Sequence, residues 1–141
     1  MSSDDLLFTG FDLKKDPRIV LKAYNDPLDV TKSFNLNLLK RMNNELGANF
    51  DLSTFDHYPT YDPSTGEAKS FLVSKEDQDI YFEELDQTIH FNQWEEIHTE
   101  ISRKYSLKDI EQLASEAGYI NVKNFIDCKW YFTDSLWKII D

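Results

Sequence analysis

Hydrophobic and polar positions change period several times along this chain, and each change predicts an element. Residues 6–11 form a short apolar run that ends near Gly10 and Asp12. This is the pattern of a buried parallel strand whose C-terminal edge faces a site. "KKDPRIVLKAYNDP" follows, with Asp16 placed as N-cap and Pro17 in the first helical position, and the helix has to stop by Asp26, before Pro27. A longer helix is predicted in "PLDVTKSFNLNLLKRMNNELG". There Val30, Phe34, Leu38, Met42 and Leu46 recur at helical spacing with Leu39 beside them, a core stripe closed by a Gly47 C-cap. Asn35, Asn37, Asn43 and Asn44 fall on the polar side of that helix, facing solvent or a ligand.

From Phe50 to Phe91 the period shortens to two. "FDHYPTYD", "AKSFLVSK", "QDIYF" and "QTIHF" read as strands, and "PSTG" at 63–66 as a hairpin turn. Further on, "SLKDIEQLASEAGY" is a helix capped by Ser106 and ended by Gly118, with Leu107, Ile110, Leu113, Ala114 and Ala117 as its stripe. "INVKNFIDC" and "YFTDSLWKII" close the chain as two strands.

One stretch fits two patterns. In "EIHTEISRKYS" (96–106), Trp94, Ile97, Ile101 and Tyr105 have helical spacing, yet Ile97, Thr99 and Ile101 alternate with His98, Glu100 and Ser102 as in a strand. On a strand, Glu100 and Ser102 share one face and can grip one ligand. On a helix they stand roughly 200° apart.

Composition narrows the function classes. At 141 residues, with 40% hydrophobic and 14% aromatic content, the chain can build a real core. A net charge of −11 repels phosphate backbones and argues against nucleic acid as partner. No apolar run approaches the roughly 18 residues of a membrane span, and no basic amphipathic segment suggests a membrane surface. "MSSDDLLFTGFD" lacks the basic start of a signal peptide, so a cytoplasmic location is expected. The single cysteine, Cys128, excludes an internal disulfide and reads as a plain thiol.

Candidate chemistry is sparse. The four glycines stand apart at 10, 47, 66 and 118, so there is no phosphate-binding loop. His57, His90 and His98 are scattered, and no catalytic triad or metal signature is present, so neither a catalytic residue nor a metal ligand is assigned. The "FDHYPTYD" aromatics suit a packed sheet face or an aromatic box. Glu100 and Ser102 remain as a pair able to hold a ring N–H, a carboxylate to accept and a hydroxyl beside it. A solvated strand face is the simpler alternative.

"DLKKDP", "AYND", "FNLNLL", "NNELGANFD" and "HTEISRKYSL" occur in an order that resembles the C-terminal portion of the histidine-specific, S-adenosylmethionine-dependent methyltransferases of ergothioneine biosynthesis, over residues 3 to 127. The resemblance implies an α/β fold, α+β in the isolated chain. Residues 1–16 and 106–141 would be the C-terminal part of a class I methyltransferase sheet. In it, 6–11 would be strand five, 121–127 strand six and 131–138 strand seven. Residues 17–105 would be an inserted α+β substrate-binding domain. It implies that Glu100 and Ser102 grip the substrate imidazole and that Tyr24 helps hold its carboxylate, which requires the "EIHTEISRKYS" segment to be extended. Ser70 stands where the family carries methionine, which puts side-chain discrimination in question.

S-adenosylmethionine is the implied cofactor of the intact enzyme, whose reaction would be an in-line methyl transfer to the α-amine. Everything the family places before strand five is missing from this sequence, including the cofactor loop. No cofactor site and no activity are therefore expected of this chain alone, and the uncovered first strand is expected to support a homo-oligomer. A non-catalytic module that binds histidine or a related amine, or an inactive truncated fragment, are the alternative readings.

Overall fold

The computed structural model describes residues 5–140. In chain order the elements are β1 (Leu6–Asp12), α1 (Pro17–Tyr24), α2 (Val30–Leu46), β2 (Phe55–Asp62), β3 (Glu67–Ser74), β4 (Gln78–Phe82), β5 (Gln87–Phe91), β6 (Glu96–Arg103), α3 (Leu107–Glu116), β7 (Tyr119–Ile126) and β8 (Phe132–Ile139). The fold is mixed α/β, with sheet orders β1-β8-β7, β2-β3-β6 and β4-β5. Among the described residues no helix is long and apolar enough to cross a membrane. The chain divides into two compact units, one of residues up to 19, 62–67 and from 103 on, the other of 20–61 and 68–102.

In the first unit β8 lies between β1 and β7 and runs antiparallel to both, with Leu6 opposite Lys138 and Asp12 opposite Phe132. The expectation of a buried parallel first strand is therefore corrected. Its partner among the described residues is antiparallel, and Leu6 and Phe8 are 55% and 59% exposed. The apolar run was legible, but the direction of the neighbouring strand depends on a segment far downstream in the chain, as the Leu6–Lys138 register shows. Phe11 turns inward, stacking on Trp137 at 5.6 Å and meeting Tyr105 edge-on at 5.2 Å. Leu13, Ile110 and Ala114 complete this core.

Helix α3 starts where Ser106 predicts. The Asp109 amide donates to Ser106 Oγ at 3.1 Å, and the Ser106 amide donates to the Asp109 carboxylate at 2.8 Å. This reciprocal capping box satisfies two amides that the helix itself leaves unpaired. The helix buries Ile110 and Ala114, while Leu113 of the expected stripe is 37% exposed. Gly118 ends it with φ 80°. The 62–67 hairpin tip also belongs to this unit: Gly66, φ 78°, accepts from the Lys104 amide at 2.7 Å.

In the second unit an aromatic core forms around Phe50. Its ring lies 5.6 Å from both Phe55 and Phe82, and Leu39, Leu72, Ile80 and Phe91 close the cluster. Burying an aliphatic side chain such as Leu39 or Leu72 in such a core contributes roughly 1.5–3 kcal/mol. Helix α2 presents a different face to this core than its apolar spacing suggests. Leu39 and Asn35 are buried and Leu36, Met42 and Leu46 partly so, whereas Val30 and Phe34 are 63% and 71% exposed within the described chain. Two asparagines explain the rotation. The Asn43 amide group donates to the Phe50 carbonyl at 2.8 Å and accepts from the Phe50 amide at 2.9 Å. Asn35 donates to the Thr31 carbonyl and receives the Thr99 hydroxyl. Side chains expected to face solvent or a ligand thus tie the helix to the sheet.

The start of α2 is capped from outside. Asp29 sits at φ 54° with no side-chain cap, and Asp26 instead accepts from the Val30 and Thr31 amides at 2.9 and 2.8 Å. Those amide donors pull the Asp26 carboxyl down to about 2. Because the folded value is depressed, the cap's stabilisation is complete above the ordinary carboxyl range. It is lost as pH falls through the folded value near 2.

Candidate functional site

Strand β6 resolves the double pattern of "EIHTEISRKYS": residues Glu96–Arg103 are extended and join β3 at the edge of the β2-β3-β6 sheet. Alternation then puts Ile97 and Thr99 on one face and Glu96, His98, Glu100 and Ser102 on the other. The contacts agree with this assignment. Ile97 packs on the Phe50 cluster, and Thr99 Oγ1 meets Asn35 of α2 and the Ser70 carbonyl at 2.9 Å. His98 lies over Phe71 with ring centroids 5.1 Å apart, on the sheet face away from α2.

Glu100 and Ser102 are half-buried and share that outer face. The backbone between them is restrained from both sides. Thr99 is held by its two bonds towards the core, and His98 Nε2 lies 3.0 Å from the Glu100 carbonyl oxygen. A carboxylate and a hydroxyl two positions apart on a strand have Cα atoms about 6.6 Å apart. That span suits one planar ring touched from both ends.

Tyr24 stands on a different element, as the last residue of α1, half-buried. The acid of its "AYND" motif, Asp26, is the cap of α2, so the turn that carries Tyr24 is tied to the following helix. The Thr31 hydroxyl donates to the Ala23 carbonyl at 3.4 Å across the same turn.

Ser70 is fully buried on β3, and its Oγ has no hydrogen-bond partner. Beside α2, Asn35 Nδ2 lies 3.5 Å from His57 Nε2. Burial pushes the His57 imidazole below its ordinary value, so the neutral ring can accept that contact.

Sequence reasoning passed over two concave regions of this unit. A small one is lined by Phe34, Asn37, Leu38 and Arg41 on α2. A larger one, of about 530 Å³, is walled by Tyr58, Phe71, Val73 and Trp94. The alternating aromatics of "FDHYPTYD" were its one visible signal.

None of the four glycines frames a cradle for a nucleoside. A Cβ at Gly10 would meet the Phe132 ring at 2.5 Å, one at Gly47 would meet Glu83, and one at Gly66 the Lys104 carbonyl, while Gly118 serves a helix end. No cluster of three or more metal-ligating side chains occurs among the described residues.

The relatives of the chain carry consistent names. It is 34% identical over 114 residues to a histidine N-alpha-methyltransferase of Mycolicibacterium smegmatis, covering 81% of this chain and 36% of that protein. A histidine N-alpha-methyltransferase of Mycobacterium tuberculosis is 32% identical over 127 residues, 90% of this chain and 40% of the relative. Ergothioneine biosynthesis protein 1 of Schizosaccharomyces pombe matches over 72 residues at 32% identity, half of this chain and 9% of the relative. The chain thus spans well under half the length of these proteins. The family model for histidine-specific, S-adenosylmethionine-dependent methyltransferases matches residues 1–139, and the chain belongs to that family.

Proposed function

We propose that this chain supplies the histidine-binding region of an S-adenosylmethionine-dependent methyltransferase that acts on the α-amine of L-histidine. Glu100 accepts a hydrogen bond from the substrate ring, Ser102 bonds beside it, and Tyr24 contributes to holding the carboxylate. The observation that carries this reading is the extended β6, which sets Glu100 and Ser102 on one face. The order β1-β8-β7, with β8 antiparallel between the other two, supports assigning β1, β7 and β8 to strands five, six and seven of a class I methyltransferase sheet. The part of the chain between β1 and α3 is then the inserted substrate domain. The exposed free thiol of Cys128 suits a reducing, cytoplasmic setting.

The grip is tested by calorimetry with L-histidine, on a protein extended to the length of its relatives. Glu100→Ala is expected to weaken binding by about 1.5–3 kcal/mol, as for a lost charge-assisted hydrogen bond. Ser102→Ala is expected to cost less. Histidine affinity unchanged in both variants would remove the assignment.

A second copy of the chain is the partner that fits β1. Among the described residues β1 is an edge strand that meets Tyr105 at Asp12 on its outer side, and its Leu6 and Phe8 side chains are exposed. Such edges pair readily, and the charge of −11 is screened beyond roughly 8–10 Å in physiological salt. Light scattering is expected to give a dimer or larger closed oligomer at high micromolar concentration. A monomer there with slowly exchanging β1 amides would overturn this.

A further inference from the structure

We infer that the groove on the outer face of the β2-β3-β6 sheet binds a small organic ammonium cation, held between the Trp94 and Tyr58 rings and the Glu96 carboxylate. The groove measures about 530 Å³, within the range of small-ligand pockets, and its walls are Tyr58, Phe71, Val73 and Trp94, with Asp56 and Glu96 as its charged groups. Tyr58 and Trp94 are 61% and 65% exposed. Aromatic faces carry negative quadrupole charge and attract cations, most strongly at Trp. Hard metal ions want several oxygen ligands and keep their water. A groove whose walls are rings and a valine instead suits an alkylated ammonium, which is weakly hydrated and apolar at its surface.

The backbone at Trp94 gives a second, independent reason. The Glu95 amide donates to the Asn92 carbonyl at 3.0 Å, closing a turn in which Trp94 has φ 70°. The Trp94 amide then donates to the Ser74 carbonyl at 2.8 Å while the Ser74 amide donates to the Glu95 carbonyl at 2.9 Å. This is the bonding of a G1 β-bulge, in which the first position favours glycine. A bulky aromatic there is strained, and at 65% exposure the indole does not recover that cost by core burial. The bulge aims an exposed indole at the groove, where glycine would fold more easily.

The two carboxylates play different parts. Asp56 is engaged by the Lys32 ammonium at 2.6 Å, which holds its carboxyl below the usual range. Glu96 is exposed at the groove and is the counter-charge for a ligand. Four residues of strand, about 13 Å, separate Glu96 from Glu100. The groove is therefore a site distinct from the proposed histidine grip, and its occupancy can be tested without methyl transfer.

The probe is choline, compared with its uncharged tert-butyl isostere, followed in amide and indole resonances of the chain as it stands. Choline is expected to shift the Trp94 indole and the Tyr58 and Glu96 amides with saturation in the millimolar range. The isostere should bind about tenfold more weakly, the worth of a partly desolvated cation–π contact. Trp94→Gly should abolish the choline shifts at Tyr58 and Glu96 while leaving the melting temperature equal or higher. Glu96→Gln, a change at an exposed position, should weaken choline several-fold with the fold intact. Equal response to choline and isostere would overturn the inference. So would Trp94→Gly lowering the melting temperature with choline binding retained.

Discussion

Asp12→Ala is expected to destabilise the first unit by about 2–4 kcal/mol, because it strips a buried lysine of a close counter-charge. Lys104 has only 4% of its side chain exposed, and its ammonium lies 2.8 Å from Asp12 Oδ2. An ammonium taken out of water needs compensation from a nearby charge, and removing one partner of a buried pair is costly where surface pairs are not. The lower end of the range applies if water reaches the site through Asp12, whose side chain is 37% exposed.

Asp12 also binds the Lys15 ammonium, which in turn bonds the Tyr131 carbonyl at 3.0 Å and sits over the Tyr131 ring. Burial alone would raise the Asp12 carboxyl, but hydrogen bonds from Lys104 and Lys15 outweigh it and hold the group below its ordinary value. The sign for stability follows. The contribution is present above the unfolded carboxyl value near 3.8 and fades as pH falls through the folded one. Urea unfolding at neutral pH measures the effect. The Asp12→Ala, Lys104→Met double variant is expected to regain part of the loss, since an apolar chain of similar length replaces the buried charge. A single-variant loss under 0.5 kcal/mol, or a double variant weaker than the single, would contradict this account.

Gly66→Ala is the second large effect, with an expected loss of roughly 3 kcal/mol and a melting temperature about 10 °C lower. Two separate faults coincide there. The φ of 78° lies in the left-handed region, which costs an L-residue roughly 1–2 kcal/mol. A Cβ would also stand 2.3 Å from the Lys104 carbonyl oxygen and 2.7 Å from Lys14 Cε. The lysine tip can swing aside, but the carbonyl cannot, because the neighbouring Lys104 amide is bonded to the Gly66 carbonyl at 2.7 Å. Asparagine tolerates the left-handed region better than alanine yet has the same Cβ. Gly66→Asn should therefore remain clearly destabilised. Full recovery with asparagine would show that φ alone matters and that the close approach does not.

The boundaries of the helices were legible in the sequence because their signals are local. Asp16 accepts from the Arg18 amide at 2.9 Å ahead of Pro17, Gly47 takes φ 59° at the end of α2, and Ser106 opens α3. A cap needs only its own few neighbours, so the residue type suffices. "FDHYPTYD", "QDIYF" and "QTIHF" coincide residue for residue with β2, β4 and β5 for a similar reason: alternation is written into consecutive positions.

Tertiary structure decided what depends on distant partners. The spacing of Val30, Phe34 and Leu38 predicted one buried face for α2, while the bonds of Asn35 and Asn43 to Thr99 and Phe50 selected another. Two polar side chains with matched partners left Val30 and Phe34 of that stripe exposed, while Leu39, Met42 and Leu46 kept their contact with the core. The apolar content of β1 was visible, and the family resemblance already implied an uncovered first strand, but the apolar run itself did not tell that its neighbour is antiparallel. Between Glu96 and Arg103 two periods coexisted over a window too short to separate them, and pairing with β3 made the segment a strand. The sequence by itself thus determined where elements begin and end and which family motifs are present. Which face each element turns inward was settled by backbone and side-chain partners far away in the chain, since a hydrogen bond is worth making only where its partner stands.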